Sequence, residues 1–334
     1  TIQMKSKALA IIIGAVTILS ACGTKKNYQH TEGKIYGTFY HITYNYSDDL
    51  QKDLRAEMER VNASLSMFNP RSVIAKINRG ESDSTDVLFR EMFVKAAQIN
   101  RETNGAFDIT VAPLANAWGF GFKTDTFPSA AKIDSILQFV GMDKLTLEGD
   151  RLVKQVKGVE LDASSIAKGL GADLVADYLD RKGVADYMVE IGGEIRAKGM
   201  SAKGRPWRIG IDKPIDDATG TMREIEMVVE LTSGALATSG NYRNFYIHDG
   251  KKYAHTINPG TGYPVQQDIL SASVYTDSCM KADAYATAFM VLGLEAAKEI
   301  VNRNPALEAC FIYEQDGTMQ TWTSPGFEKL IDRK

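Results

Sequence analysis

The sequence predicts an α+β fold, on three observations. Helix-period stripes fall in blocks at roughly 50–141, 161–183 and 279–303, β-type segments crowd between 185 and 275, and the two kinds do not alternate strictly. A doubly wound parallel sheet needs that alternation, so it is excluded. With 334 residues and 44% apolar content the chain can bury a large core.

The elements follow in order. Lys34 to Tyr46 is rich in Tyr, Thr, Ile and Phe and reads as a strand, with a close-approach glycine at Gly37. A helix follows, capped by Ser47 or Asp48, with Leu50, Leu54, Met58, Val61 and Leu65 on one face. A second runs from about Thr85 to Thr103 on the stripe Leu88, Met92, Ala96 and Ile99, stopped by Asn104-Gly105. A third starts near Ser129 and ends at Gly141, and a central helix runs from Leu161-Asp162-Ala163-Ser164-Ser165 to Gly183. Short β segments are expected at 185–191, 194–199, 207–212, 222–232, 243–248, 252–257 and 270–275. Helices at about 279–292 and 294–303 and a hairpin from 308 to 322 close the chain.

The first residues read differently. Lys5 and Lys7 precede a nearly unbroken apolar run from Ala8 to Ala21, which ends at Leu19-Ser20-Ala21-Cys22. That is the order of an export signal, too short for a comfortable membrane span. Leu-Ser-Ala-Cys resembles a bacterial lipobox, which makes residues 1–21 a lipoprotein signal peptide and Cys22 the lipidated anchor. Residues 22–33 then read as a polar tether and 34–330 as one folded domain. The expected location is exported, membrane-anchored through lipid and facing the periplasm.

Net charge is −3, and −5 once residues 1–21 with their two lysines are removed. No broad basic field is available for a nucleic-acid backbone, so nucleic acid is not an expected partner. Cys279 and Cys310 are too few for a disulfide framework, and their pairing is open.

Four motifs carry chemistry. Asp283 and Thr287 lie four apart in a predicted helix, about 6 Å apart on one face. As hard oxygen donors they suit Mg²⁺ with phosphate, or they are merely an N-terminal-turn acid and a solvent-facing hydroxyl. Residues 161–169 put Asp162, Ser164, Ser165 and Lys168 at a helix start, which suits a phosphate or is simply a capped helix. Glycine signals at Gly192-Gly193 and Ser239-Gly240 end apolar strands as close-approach sites or plain turns. His255, where a strand feeds Asn258-Pro259-Gly260, is the best base candidate, or it is simply an exposed histidine with no chemical task. The other histidines are His30 in the tether, His41 in the first strand and His248 beside a turn.

Taken together these segments resemble the ApbE family of flavin transferases, which attach FMN covalently to a protein threonine or serine. The resemblance runs from about 34 to 325 and also rests on Gly37-Thr38, Ser66 to Asn78, Gly105 to Leu114 and Trp118-Gly119-Phe120-Gly121. It implies a T-fold-like α+β fold with a mixed or antiparallel sheet and flanking helices, with FAD as substrate and Mg²⁺ as cofactor. It implies Ser165, Asp283 and Thr287 as metal ligands, and Tyr36, Phe68, Asp108, Asp162, Lys168 and Ile257 as FAD contacts. His255 is implied as the base, and an exported acceptor with a Ser/Thr-Gly-Ala-Thr motif as the partner. Two positions depart from the family pattern: Tyr36 replaces the usual methionine, and Asn258-Pro259-Gly260 stands for Asp-Pro-Arg. Two alternative readings use the same residues, a metal-dependent FAD pyrophosphatase giving FMN and AMP and a non-catalytic FAD-binding lipoprotein.

Overall fold

A computed structural model describes residues 27–122, 127–215, 224–242, 245–248, 250–266 and 268–333. The expected signal peptide (residues 1–21) and the expected anchor at Cys22 lie outside the described residues.

The described residues open with a hairpin, β1 (Tyr28–Ile35) and β2 (Thr38–Asn45), turned at Tyr36 and Gly37, both with positive φ. This corrects two expectations. Residues 28–33 are strand rather than tether, because Tyr28, His30 and Glu32 alternate with Thr31 and Ile35 in register with β2. Their polarity belongs to one face of an edge strand. The segment from Lys34 onward is therefore the end of one strand and the start of another.

Three helices follow, α1 (Gln51–Leu65), α2 (Val73–Asn78) and α3 (Val87–Glu102). The predicted stripes of α1 and α3 are buried throughout. Helix α1 begins later than expected and without a side-chain cap from Ser47 or Asp48, because the Leu50 amide donates instead to the Tyr44 hydroxyl at 2.8 Å. Then come α4 (Ala112–Ala117), α5 (Ala130–Leu137) capped by Ser129, the hairpin β3 (Leu145–Glu148) and β4 (Arg151–Lys154), and α6 (Ser164–Arg181).

The β-rich half contains β5 (Tyr187–Ile191), β6 (Glu194–Lys198), β7 (Trp207–Asp212), β8 (Ile225–Leu231), β9 (Ala235–Gly240), β10 (Phe245–His248), β11 (Lys251–Ala254) and β12 (Ile269–Thr276). The chain finishes with α7 (Cys279–Leu292), α8 (Leu294–Arg303), β13 (Glu308–Gln315), β14 (Thr318–Thr323) and α9 (Pro325–Glu328). The main sheet runs β1-β2-β5-β6-β9-β12-β13-β14, with every neighbouring pair antiparallel. The α+β expectation is met with an antiparallel sheet.

Helices α6 and α7 lie together against this sheet. Helix α7 is apolar all round and almost wholly buried, as a helix between a sheet and other helices must be. An Asp in such a helix is out of place unless something satisfies it, and Asp283 is only 3% exposed. The cysteines 279 and 310 are both free and buried. Among the described residues no helix is long and apolar enough to cross a membrane.

Candidate active site

The starts of α6 and α7, the β5–β6 turn, the end of β9 and the loop after β11 converge on one cavity of about 750 Å³. Its wall includes Asp108, Asp162, Ser165, Lys168, Asp283 and Thr287, and also Phe68, His255 and Ile257. Ten of the eleven site residues expected from sequence lie in the described part of the chain, and nine of those ten meet here.

Close approach of α6 to α7 sets the floor. A Cβ at Gly169 would stand 2.3 Å from the Cys279 carbonyl oxygen, so only glycine lets the helices meet there. Across that contact the Gly169 amide donates to Asp283 Oδ2 at 3.0 Å. The start of α7 is fixed from α6 as well: Asp173 accepts from the amides of Cys279 and Met280, both at 2.9 Å, and from the Ser278 hydroxyl at 2.7 Å. Thr287 lies one turn beyond Asp283, its hydroxyl 3.3 Å from Ser239 Oγ on β9.

Lys168 bridges two carboxylates, with Nζ 3.1 Å from Glu194 Oε1 and 3.6 Å from Asp283 Oδ1. Burial opposes its charge, but the two acids outweigh that and hold its pKa above the ordinary lysine range. Burial pushes Asp283 and Glu194 upward, Lys168 opposing it in each case. Glu194 is a site residue that the sequence reading missed, having counted only the glycine pair before it. Gly192 and Gly193, at φ 65° and 102°, make the two-residue turn that returns β5 into β6 and puts Glu194 opposite Ile191.

Asp108 and Asp162 serve local structure as well as the wall. Asp108 accepts from the Thr110 amide at 2.7 Å and the Met142 amide at 3.2 Å, and Asp162 accepts from the Ser164 amide at 2.8 Å. Burial raises the pKa of both, against these hydrogen bonds.

His255 follows β11 at the cavity edge, its ring edge-on to Phe120 at 6.4 Å. The loop beyond it is stapled: Ile257 bridges Pro264, and Trp118 Nε1–H donates to the Gly262 carbonyl at 2.8 Å. Asn258 Oδ1 accepts from the amides of Gly260 at 2.9 Å and Thr261 at 3.3 Å. An aspartate there could make the same turn, so this departure keeps the loop intact. Phe68, 62% exposed, stands at the rim with Phe122 edge-on at 5.4 Å.

Tyr36 is not among the residues lining the cavity. Its positive φ of 52° turns the side chain inward, where its hydroxyl donates to the Met58 carbonyl at 2.6 Å and its ring lies over Gly171. Tyr36 is a packing residue between α1 and α6, which corrects its expected role as a flavin contact.

Among the described residues no group of three or more His, Cys, Asp or Glu is arranged to hold a metal. The donors at Ser165, Asp283 and Thr287 are instead one carboxylate with two hydroxyl-bearing residues. That set fits Mg²⁺, which takes one or two protein carboxylates and completes its shell with waters and substrate phosphate.

The model of the ApbE family matches residues 36–311. The chain belongs to the ApbE family. Among ApbE relatives, it is 34% identical over 334 residues to the FAD:protein FMN transferase of Vibrio cholerae, covering 97% of this chain and 98% of that one. It is 35% identical over 349 residues to the protein of the same name from Haemophilus influenzae, covering 99% and 100%. The solved structure of the flavin transferase ApbE from Vibrio cholerae superposes with a TM-score of 0.83 at 35% identity, covering 91% of this chain and 99% of that one. The ApbE fold therefore extends over nearly all the described residues.

Proposed function

We propose that the protein is an FAD:protein FMN transferase, which moves FMN from FAD onto a Ser or Thr hydroxyl of an acceptor protein and releases AMP. The observation that carries this reading is the single cavity that brings a histidine, His255, to the same space as Asp283, Thr287, Ser165 and Lys168. Phosphoryl transfer needs that combination: a base for the attacking hydroxyl, and positive charge and oxygen donors where the phosphates lie.

Each residue has a task. Phe68 and Ile257 offer apolar surface for the flavin end, and Lys168 supplies positive charge toward the pyrophosphate. Ser165, Asp283 and Thr287 would hold Mg²⁺, which when bound offsets charge on the phosphoryl oxygens. His255 Nδ1 or Nε2 accepts the proton of the acceptor hydroxyl as its oxygen bonds to the FMN-side phosphorus. The bond from that phosphorus to the bridging oxygen breaks, and the oxygen leaves with AMP. The stapled loop 255–264 limits the imidazole's movement, so its cost of orientation is met on folding.

The acceptor is an exported protein with the Ser/Thr-Gly-Ala-Thr motif, met on the periplasmic side, where Leu19-Ser20-Ala21-Cys22 supports a lipid anchor. Incubation with FAD, Mg²⁺ and such an acceptor tests the reading through covalent flavin on the acceptor. No flavin transfer to any acceptor of that pattern would refute it.

A further inference from the structure

Glu194 holds Lys168 through one oxygen, which leaves the other half of its carboxylate unexplained. Only Oε1 is used, at 3.1 Å from Lys168 Nζ, while Oε2 is buried and has no hydrogen-bond partner among the described residues. The residue is 4% exposed. A buried carboxylate oxygen left unmatched is costly, so a fold that keeps one has a use for it. The location is specific. Lys168 lies within 3.6 Å of both Glu194 and Asp283, which places two acids around one ammonium and leaves the buried triad a formal charge of −1. Both acids line the cavity, and the β5–β6 turn that carries Glu194 packs its Gly192 against the Lys168 stem.

We propose that Glu194 is the second carboxylate of the divalent-cation site, its unmatched Oε2 serving as a ligand beside Asp283. This rests on the reading of Asp283 as a metal ligand. With the cation present the cluster carries two acids against Lys168 and a dication, and the unmatched oxygen gains its partner. Lys168 then has a second effect: its charge competes with the cation for the same two carboxylates, keeping the site weak until substrate phosphate arrives to complete the coordination.

Mn²⁺ titration of the FAD-free protein, followed by the paramagnetic resonance of unbound Mn²⁺, tests this without catalysis. Wild type should bind one Mn²⁺, Asp283→Asn should lose it, Glu194→Gln should bind at least tenfold more weakly, and Lys168→Met should bind more tightly. Glu194→Asp, which restores the charge, should recover part of the loss, and unchanged melting temperatures of the metal-free variants identify folded protein. If Glu194→Gln binds Mn²⁺ as wild type does while Asp283→Asn does not, the proposal for Glu194 is overturned and the reading of Asp283 stands. If Asp283→Asn also binds as wild type does, the reading of Asp283 falls with it.

Discussion

The amide of Gly169 donates to the carboxylate of Asp283 at 3.0 Å, across a helix contact so close that a methyl group at 169 would stand 2.3 Å from the Cys279 carbonyl oxygen. Packing and chemistry share this contact. The glycine that lets α6 approach α7 also orients the acid at the centre of the site.

Gly169→Ala should therefore damage both. Forcing the helices apart is overpacking against backbone, which costs about 1–3 kcal/mol, and it removes the anchor of Asp283. Urea unfolding should show the loss of stability, and FAD affinity should fall with it. Stability and affinity both equal to wild type would mean that the contact sets neither.

Asp283→Ala removes the carboxylate from the proposed cation site. Transfer should fall by about a thousandfold or more, since a metal's charge stabilisation is worth several kcal/mol. FAD should also be retained less well through purification, read from the flavin absorbance of the protein.

His255→Ala separates binding from turnover. A general base contributes roughly 10²–10⁴-fold to rate, so kcat should drop by that range while FAD affinity changes little. An equal loss of affinity would make His255 a binding residue instead.

Phe68→Ala tests the rim. With 62% exposure its side chain contributes little to the core, so stability should stay within about 0.5 kcal/mol. An aromatic pair is worth about 0.5–1.5 kcal/mol, which predicts a weakening of FAD binding by roughly 2- to 12-fold.

How far the sequence revealed this follows from local physics. The stripe from Leu54 to Leu65 needs only helical period, and the order β12–α7–α8–β13 only clear caps and turns, so both were legible. Helix α2 is six residues long, too short for a stripe, and of β9 only its end at Ser239-Gly240 was legible, because its Ala, Thr, Ser and Gly around Leu236 mimic a loop. Strand β1 looks polar because edge strands carry charge outward. At the site, Asp283, Thr287, Lys168 and His255 could be named because their types and spacings carry chemistry. Glu194 could not, since its meaning comes from a lysine 26 residues away that the fold brings to 3.1 Å. Tyr36 was misplaced because its position beside Gly37 fixes the turn, while the direction of its ring depends on φ.

The central claim is that phosphorus in this cavity is attacked by a protein hydroxyl. The most direct test is to incubate the full-length protein with FAD and Mg²⁺, with and without an acceptor domain carrying the Ser/Thr-Gly-Ala-Thr motif, and to quantify AMP, free FMN and protein-bound flavin. AMP should appear in equal amount to flavin bound on the acceptor, with little of either product when the acceptor is absent. Equal AMP and free FMN, formed at the same rate whether or not the acceptor is present, would contradict it and make water the nucleophile.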